Sequence, residues 1–150
     1  MSPIPSSSDD AIGQLPDKHW EDGVVQRYLF AIYEDEARFA GLTGEELDGV
    51  WQRHDDFVFA VKRAGAVLVS GEALAPRSRA MFVRPGTRGH GSTERLAEPV
   101  LIDDPARAET LGGYYLIEAR DDVQAQQLAA LCPVEFGFVE VRPVMAAGSR

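Results

Sequence analysis

The stretch Leu111-Gly-Gly-Tyr-Tyr-Leu-Ile-Glu118 constrains the fold more than any other part of the chain. Side chains alternate along a strand, so Tyr114, Leu116 and Glu118 share one face, and Tyr115, Ile117 and Ala119 share the other. Both faces are largely apolar, as expected of a strand covered on both sides in the middle of a sheet. The remaining elements must pair with this strand or pack over it.

The global properties exclude several partners. Twenty-four acidic against fifteen basic side chains leave a formal charge of -9, which repels phosphate backbones and anionic membrane surfaces. Neither nucleic acid nor membrane is an expected partner. No run approaches the roughly 18 apolar residues of a membrane span, and Met1 to Asp10 lack the charged and apolar regions of a signal peptide. Cys132 is the single cysteine, so no intrachain disulfide and no thiolate metal cluster can form within one chain. A reducing, cytoplasmic setting is expected. Residues 1–22, with Pro3, Pro5, three consecutive serines and Asp9-Asp10, read as a tail too polar to offset its ordering entropy, although Ile12, Leu15 and Trp20 offer a segment that can dock. The domain is expected over 23–146, with 147–150 as a short C-terminal tail.

Val24 to Tyr33 reads as the first strand, rich in β-branched and aromatic residues, with Glu34-Asp35-Glu36 ending it. Thr43 and Glu46 have capping-box spacing, and Leu47, Val50, Trp51, His54, Phe57, Val58 and Val61 then recur at helical intervals up to Gly65. Val67 to Leu74 and Ala80 to Arg84 read as a hairpin. Pro85 to Glu98 reads as an exposed loop, and Pro99 to Ile102 as a short edge strand. Asp121 with Gln124 starts a second helix, with Val123, Leu128, Ala129 and Leu131 as its apolar face, and Phe136 to Met145 closes the sheet.

This order gives an α+β fold: a ferredoxin-like, split βαβ antiparallel sheet with two helices on one face. The other sheet face is also apolar, and a second copy of the sheet is the economical cover, which predicts a homodimer.

Several ordered blocks carry a resemblance: Gly71-Glu-Ala-Leu-Ala-Pro76, Val83-Arg84, Leu111 to Glu118, Cys132-Pro133 and Val139-Glu-Val-Arg-Pro-Val144. Over about residues 26 to 145 they resemble the YCII-related family, in the branch named for an Asp-Gly-Pro-Phe motif. Asp103-Asp104-Pro105-Ala106 stands where that motif is expected, and Ala108-Glu109-Thr110 looks shortened. The resemblance implies a dimeric α/β barrel. It also implies a histidine with an acidic partner as the reacting centre, dehalogenating or lyase-like chemistry in some relatives, and no assigned reaction in most.

His54 lies on the apolar stripe of the first helix and should face the sheet. A carboxylate on one imidazole nitrogen would leave the other to exchange a substrate proton near neutral pH. The alternative is a core histidine satisfied by a carbonyl or a tyrosine hydroxyl. Glu72 and Asp103 are the favoured catalytic partners, against structural roles in which Glu72 pairs with Arg84 and Asp103 caps its own turn. Glu118 is a further strand carboxylate. Tyr33, Arg84, Tyr114 and Arg142 are the candidate substrate-binding donors. His19, His54 and His90 have no metal-motif spacing, Gly86, Gly89 and Gly91 lack a phosphate-binding context, and Cys132 reads as a structural thiol; no metal or cofactor is expected. Two functions follow. One is a small metal-free enzyme of lyase, isomerase or hydrolase type on a small organic substrate, using His54 with a carboxylate. The other is a non-catalytic dimer that binds a ligand or a regulatory partner.

Overall fold

A computed structural model describes residues 26–85, 93–96 and 108–146. The tails expected at 1–22 and 147–150, the start of the first strand at Val24, the edge strand at 99–102, Asp103, His19, His90 and the side chain of Arg84 lie outside the described part.

In chain order the elements are β1 (Gln26–Asp35), α1 (Glu36–Ala40), α2 (Gly44–Arg63), β2 (Val67–Ala73), a 3-10 turn (Arg77–Arg79), β3 (Phe82–Pro85), β4 (Thr93–Leu96), β5 (Glu109–Ala119), α3 (Asp122–Ala129) and β6 (Gly137–Pro143). Four strands form one antiparallel sheet in the order β2-β5-β1-β6. β5 is thus central, and it separates β1 from β2, which is the split βαβ arrangement of a ferredoxin-like sheet.

Alternation assigns the faces. Tyr28, Phe30 and Ile32 of β1 lie opposite Ile117, Tyr115 and Gly113 of β5, and pack with Phe57 and Val61 of α2 and with Ala125 and Leu128 of α3 in one core. Burying each of the larger of these side chains contributes on the order of 1.5–3 kcal/mol. On the opposite face Leu29 lies across from Leu116, and Ala31 from Tyr114, with no helix over them among the described residues; Leu29, Tyr114 and Leu116 are only partly buried.

The helix boundaries follow local chemistry. Thr43 Oγ1 accepts the Glu46 N–H at 3.1 Å, and Glu46 Oε1 accepts the Thr43 N–H at 2.8 Å, closing the expected capping box. Gly65, at φ 81°, ends α2 in the left-handed region that a side chain disfavours. Asp121 accepts the Gln124 N–H at 2.9 Å, and the buried Gln124 side chain accepts from Arg120 N and donates to Ala64 O at 3.0 Å, tying the start of α3 to the end of α2.

Four expectations need correction. The described part has three helices rather than two, because Asp35 caps α1 by accepting the N–H groups of Ala37 and Arg38. β2 and β3 form no hairpin. After Ala73 the chain passes Pro76 into the 3-10 turn, where Arg77 N–H donates to Glu36 Oε2 at 2.8 Å, and β3 instead pairs with β4 in a separate two-stranded sheet. β4 therefore occupies part of the expected 85–98 loop. Finally, the apolar stripes are narrower than their spacing implies: Trp51, Val123 and Leu131 are exposed, and α2 buries only Val50, Phe57 and Val61.

A cavity where helix 2 meets the central strands

His54 is brought to the sheet by α2 and meets β5 there. Its Nδ1 lies 2.6 Å from Tyr115 Oη, and the two rings sit 5.9 Å apart, with Phe57 packed 5.0 Å from the same tyrosine ring. Among the described residues the partner of His54 is thus a tyrosine hydroxyl on the central strand, the alternative raised for a packed imidazole, and no carboxylate. The Nε2 nitrogen has no hydrogen bond among the described residues. Gly71 makes room for Tyr115, because a Cβ at residue 71 would stand 2.5 Å from its Cδ1.

Beside this pair is a cavity of about 150 Å³, whose lining includes His54, Tyr115, Trp51, Ile32, Glu34 and Glu135. Glu34 Oε2 accepts the backbone N–H groups of Glu135 and Phe136 at 2.8 and 3.0 Å, fixing the connection between α3 and β6 against the end of β1. Glu135 forms an ion pair with Arg53, one residue before His54. Trp51 covers the outer side of His54, ring centroid to ring centroid 5.7 Å.

The electrostatics favour an uncharged site. Burial holds the His54 imidazole below its usual pKa, and the Arg53 charge pushes the same way, against smaller opposing effects of Asp55 and Glu135. Burial likewise raises the Tyr115 phenol to about 12, with Cys132 and Asp55 adding to the rise. Both partners are therefore neutral near pH 7, and they share one proton-ordered contact with two arrangements. With Nδ1–H donating to Tyr115, Nε2 carries a lone pair and can take a proton; with the tyrosine O–H donating to Nδ1, Nε2 carries a proton and can give one.

The other expected site residues disperse. Glu72 and Tyr114 border the cavity, but their register pairs them opposite each other, one residue out of phase with Gly71 and Tyr115, on the side of the sheet away from α2. Glu72 is exposed and has no hydrogen bond or ion pair among the described residues. Tyr33 and Arg142 meet at Glu140: the Tyr33 hydroxyl donates to Oε1 at 3.3 Å, and Arg142 pairs with Oε2. Tyr33 also stacks on Phe138 at 4.9 Å. Glu118 pairs with Arg27 across the β1–β5 register at 2.9 Å. Asp103 and the Arg84 side chain are outside the described residues.

Sequence reasoning missed Tyr115, Glu34 and Glu135 as members of the site. Alternation separated Tyr115 from Tyr114, but nothing in the pattern said which of the two faces α2 would cover, and Tyr114 was the one expected at the site. Nothing local marks Glu34 or Glu135. Among the described residues no three His, Cys, Asp or Glu side chains converge as a metal site, and no helix is long and apolar enough to cross a membrane.

The YCII-related domain model matches residues 26–147. No curated protein matches the chain.

Proposed function

We propose, from the premise that the chain belongs to the YCII-related domain family, that it is a small enzyme in which His54 performs acid–base chemistry of lyase, isomerase or hydrolase type on a small organic substrate. The observation that carries this reading is the 2.6 Å contact between His54 Nδ1 and Tyr115 Oη at the wall of a cavity. It leaves Nε2 as the exchangeable position. A lowered imidazole pKa keeps the ring neutral and basic at pH 7, the condition for a general base. The working unit in this reading is a homodimer joined through the open sheet face, in the reducing cytoplasm.

Deuterium incorporation into small carbonyl compounds, followed by NMR in D2O, tests the chemistry. Catalysed exchange is expected with the native chain and a loss of about 10²–10⁴-fold with His54→Asn. Equal exchange by the two proteins would refute the acid–base role.

A non-catalytic, ligand-binding or partner-binding dimer is the second reading. It is favoured by the tyrosine itself, since a hydroxyl partner is also what a merely packed imidazole requires.

A further inference from the structure

The charge of the lining narrows what the His54 cavity accepts. Three of the residues that line it are carboxylates, Glu34, Glu72 and Glu135. No lysine or arginine stands among the described lining residues to receive a ligand's charge. Glu34 spends Oε2 on two backbone N–H groups, while the neighbouring Arg53 is already committed to Glu135. His54 and Tyr115, the remaining polar members on the α2 side, are uncharged at neutral pH. The rest of the wall, including Ile32, Val50, Trp51 and Pro133, is apolar or aromatic.

An anion entering here would lose water and meet carboxylates on the lining, with Arg53 held by Glu135 and no other cation among the described lining residues, which is the costly way to bury a charge. A neutral polar molecule faces no such cost, and a cation gains from the acidic lining and from the face of an exposed tryptophan. Size sets the second limit. A cavity of about 150 Å³ is of the order that holds one benzene-sized body.

Building on the acid–base reading of the same site, we infer that the substrate is a small uncharged or cationic organic molecule with an apolar body of about ring size, and that carboxylate-bearing substrates are rejected. The acidic lining acts as the specificity element, and Glu135 is its adjustable part, because its removal also releases Arg53.

Three probes of one shape test this: benzyl alcohol, benzylammonium and benzoate, titrated into the full chain while the His54 and Tyr115 NMR signals are followed. Benzyl alcohol and benzylammonium are expected to shift both residues saturably, and benzoate to bind about tenfold more weakly or worse, as like charges in a partly screened site require. In Glu135→Gln the benzoate deficit should shrink severalfold, since one carboxylate is gone and Arg53 is released. Benzoate binding as tightly as benzyl alcohol, an unchanged deficit in Glu135→Gln, or absence of saturable shifts with all three probes overturns the inference. Failure of the acid–base reading registers separately, as turnover retained by His54→Asn, and leaves the probe series unaffected.

Discussion

The ring of Tyr115 lies flat against the backbone of Gly71, so close that a Cβ there would stand 2.5 Å from Cδ1 and 2.9 Å from Cε1. The edge strand thereby fixes the hydroxyl that holds His54, although the two residues belong to β5 and α2. Gly71→Ala is expected to push the ring toward α2 and break the His54 contact. Overpacking of this kind costs about 1–3 kcal/mol. Urea unfolding should report that loss together with a changed His54 imidazole signal; a variant with native stability and a native imidazole signal would show that the ring is not held by this strand.

Tyr115→Phe separates packing from hydrogen bonding at the same place. The ring contact with Phe57 survives and only the hydroxyl is removed, for a net cost of about 0.5–1.5 kcal/mol. The hydroxyl positions His54 without being proposed to react, so kcat should fall while KM stays near the native value, and the pH profile of kcat should shift with the imidazole. Unchanged kcat and pH profile would reduce Tyr115 to a packing residue.

Acid stability gives an independent reading of His54. Its folded pKa lies below the ordinary value of 6.5 because burial penalises the cation. As pH falls below about 6.5 the unfolded chain takes up a proton that the folded chain resists, so this contribution to stability is present above that pH and is lost as pH falls through the folded pKa. Denaturant unfolding between pH 7.5 and about pH 5 should show the native chain losing more stability than His54→Asn. Parallel curves for the two proteins would contradict the burial of the ring.

Cys132 is buried, and burial together with the nearby Glu34 charge pushes its thiol up to about 12. Little thiolate exists near pH 8, and alkylating reagents cannot reach it without opening of the fold. Iodoacetamide at pH 8 should leave the folded chain unmodified over a time in which the chain in denaturant reacts completely. Equal rates would show an open or mobile end of α3.

What could be read in advance divides by the range of the interactions. The boundaries of α2 and α3 were legible because Thr43 with Glu46 and Asp121 with Gln124 act within one helical turn. The faces of β1 and β5 followed from strict alternation. The partner of β3 was less legible: it joins β4 rather than β2, with the chain between β2 and β3 tied to α1 by the Arg77–Glu36 hydrogen bond, and no spacing rule encodes a contact across 41 residues. The site suffered from the same limit. For His54 a strand carboxylate was weighed against a carbonyl or a tyrosine hydroxyl, and spacing could not say that the hydroxyl would be that of Tyr115, which looked like ordinary strand filling. Glu34 was read as part of a strand-ending turn, whereas it holds two N–H groups that lie about a hundred residues on.

Leu29 and Leu116 face each other across β1 and β5 on the side of the sheet that no helix of the described residues covers. Both are partly buried, and the same face carries Tyr33 stacked on Phe138, with the Arg27–Glu118 and Arg142–Glu140 pairs beside them, so a second sheet would close over an apolar centre with a charged rim. The native chain should therefore scatter light as a species of twice 16.4 kDa at micromolar concentration. Leu116→Glu places a charge in the middle of that layer. In the single subunit the substitution is near the surface and should change stability by about 0.5 kcal/mol or less, whereas in the paired sheets it buries two carboxylates on a face whose arginines, Arg27 and Arg142, are already paired with Glu118 and Glu140. The expected result is a folded subunit of 16.4 kDa with native circular dichroism. A native chain that already has the single-subunit mass, or a Leu116→Glu variant that retains the doubled mass, would place the contact between copies elsewhere or remove it.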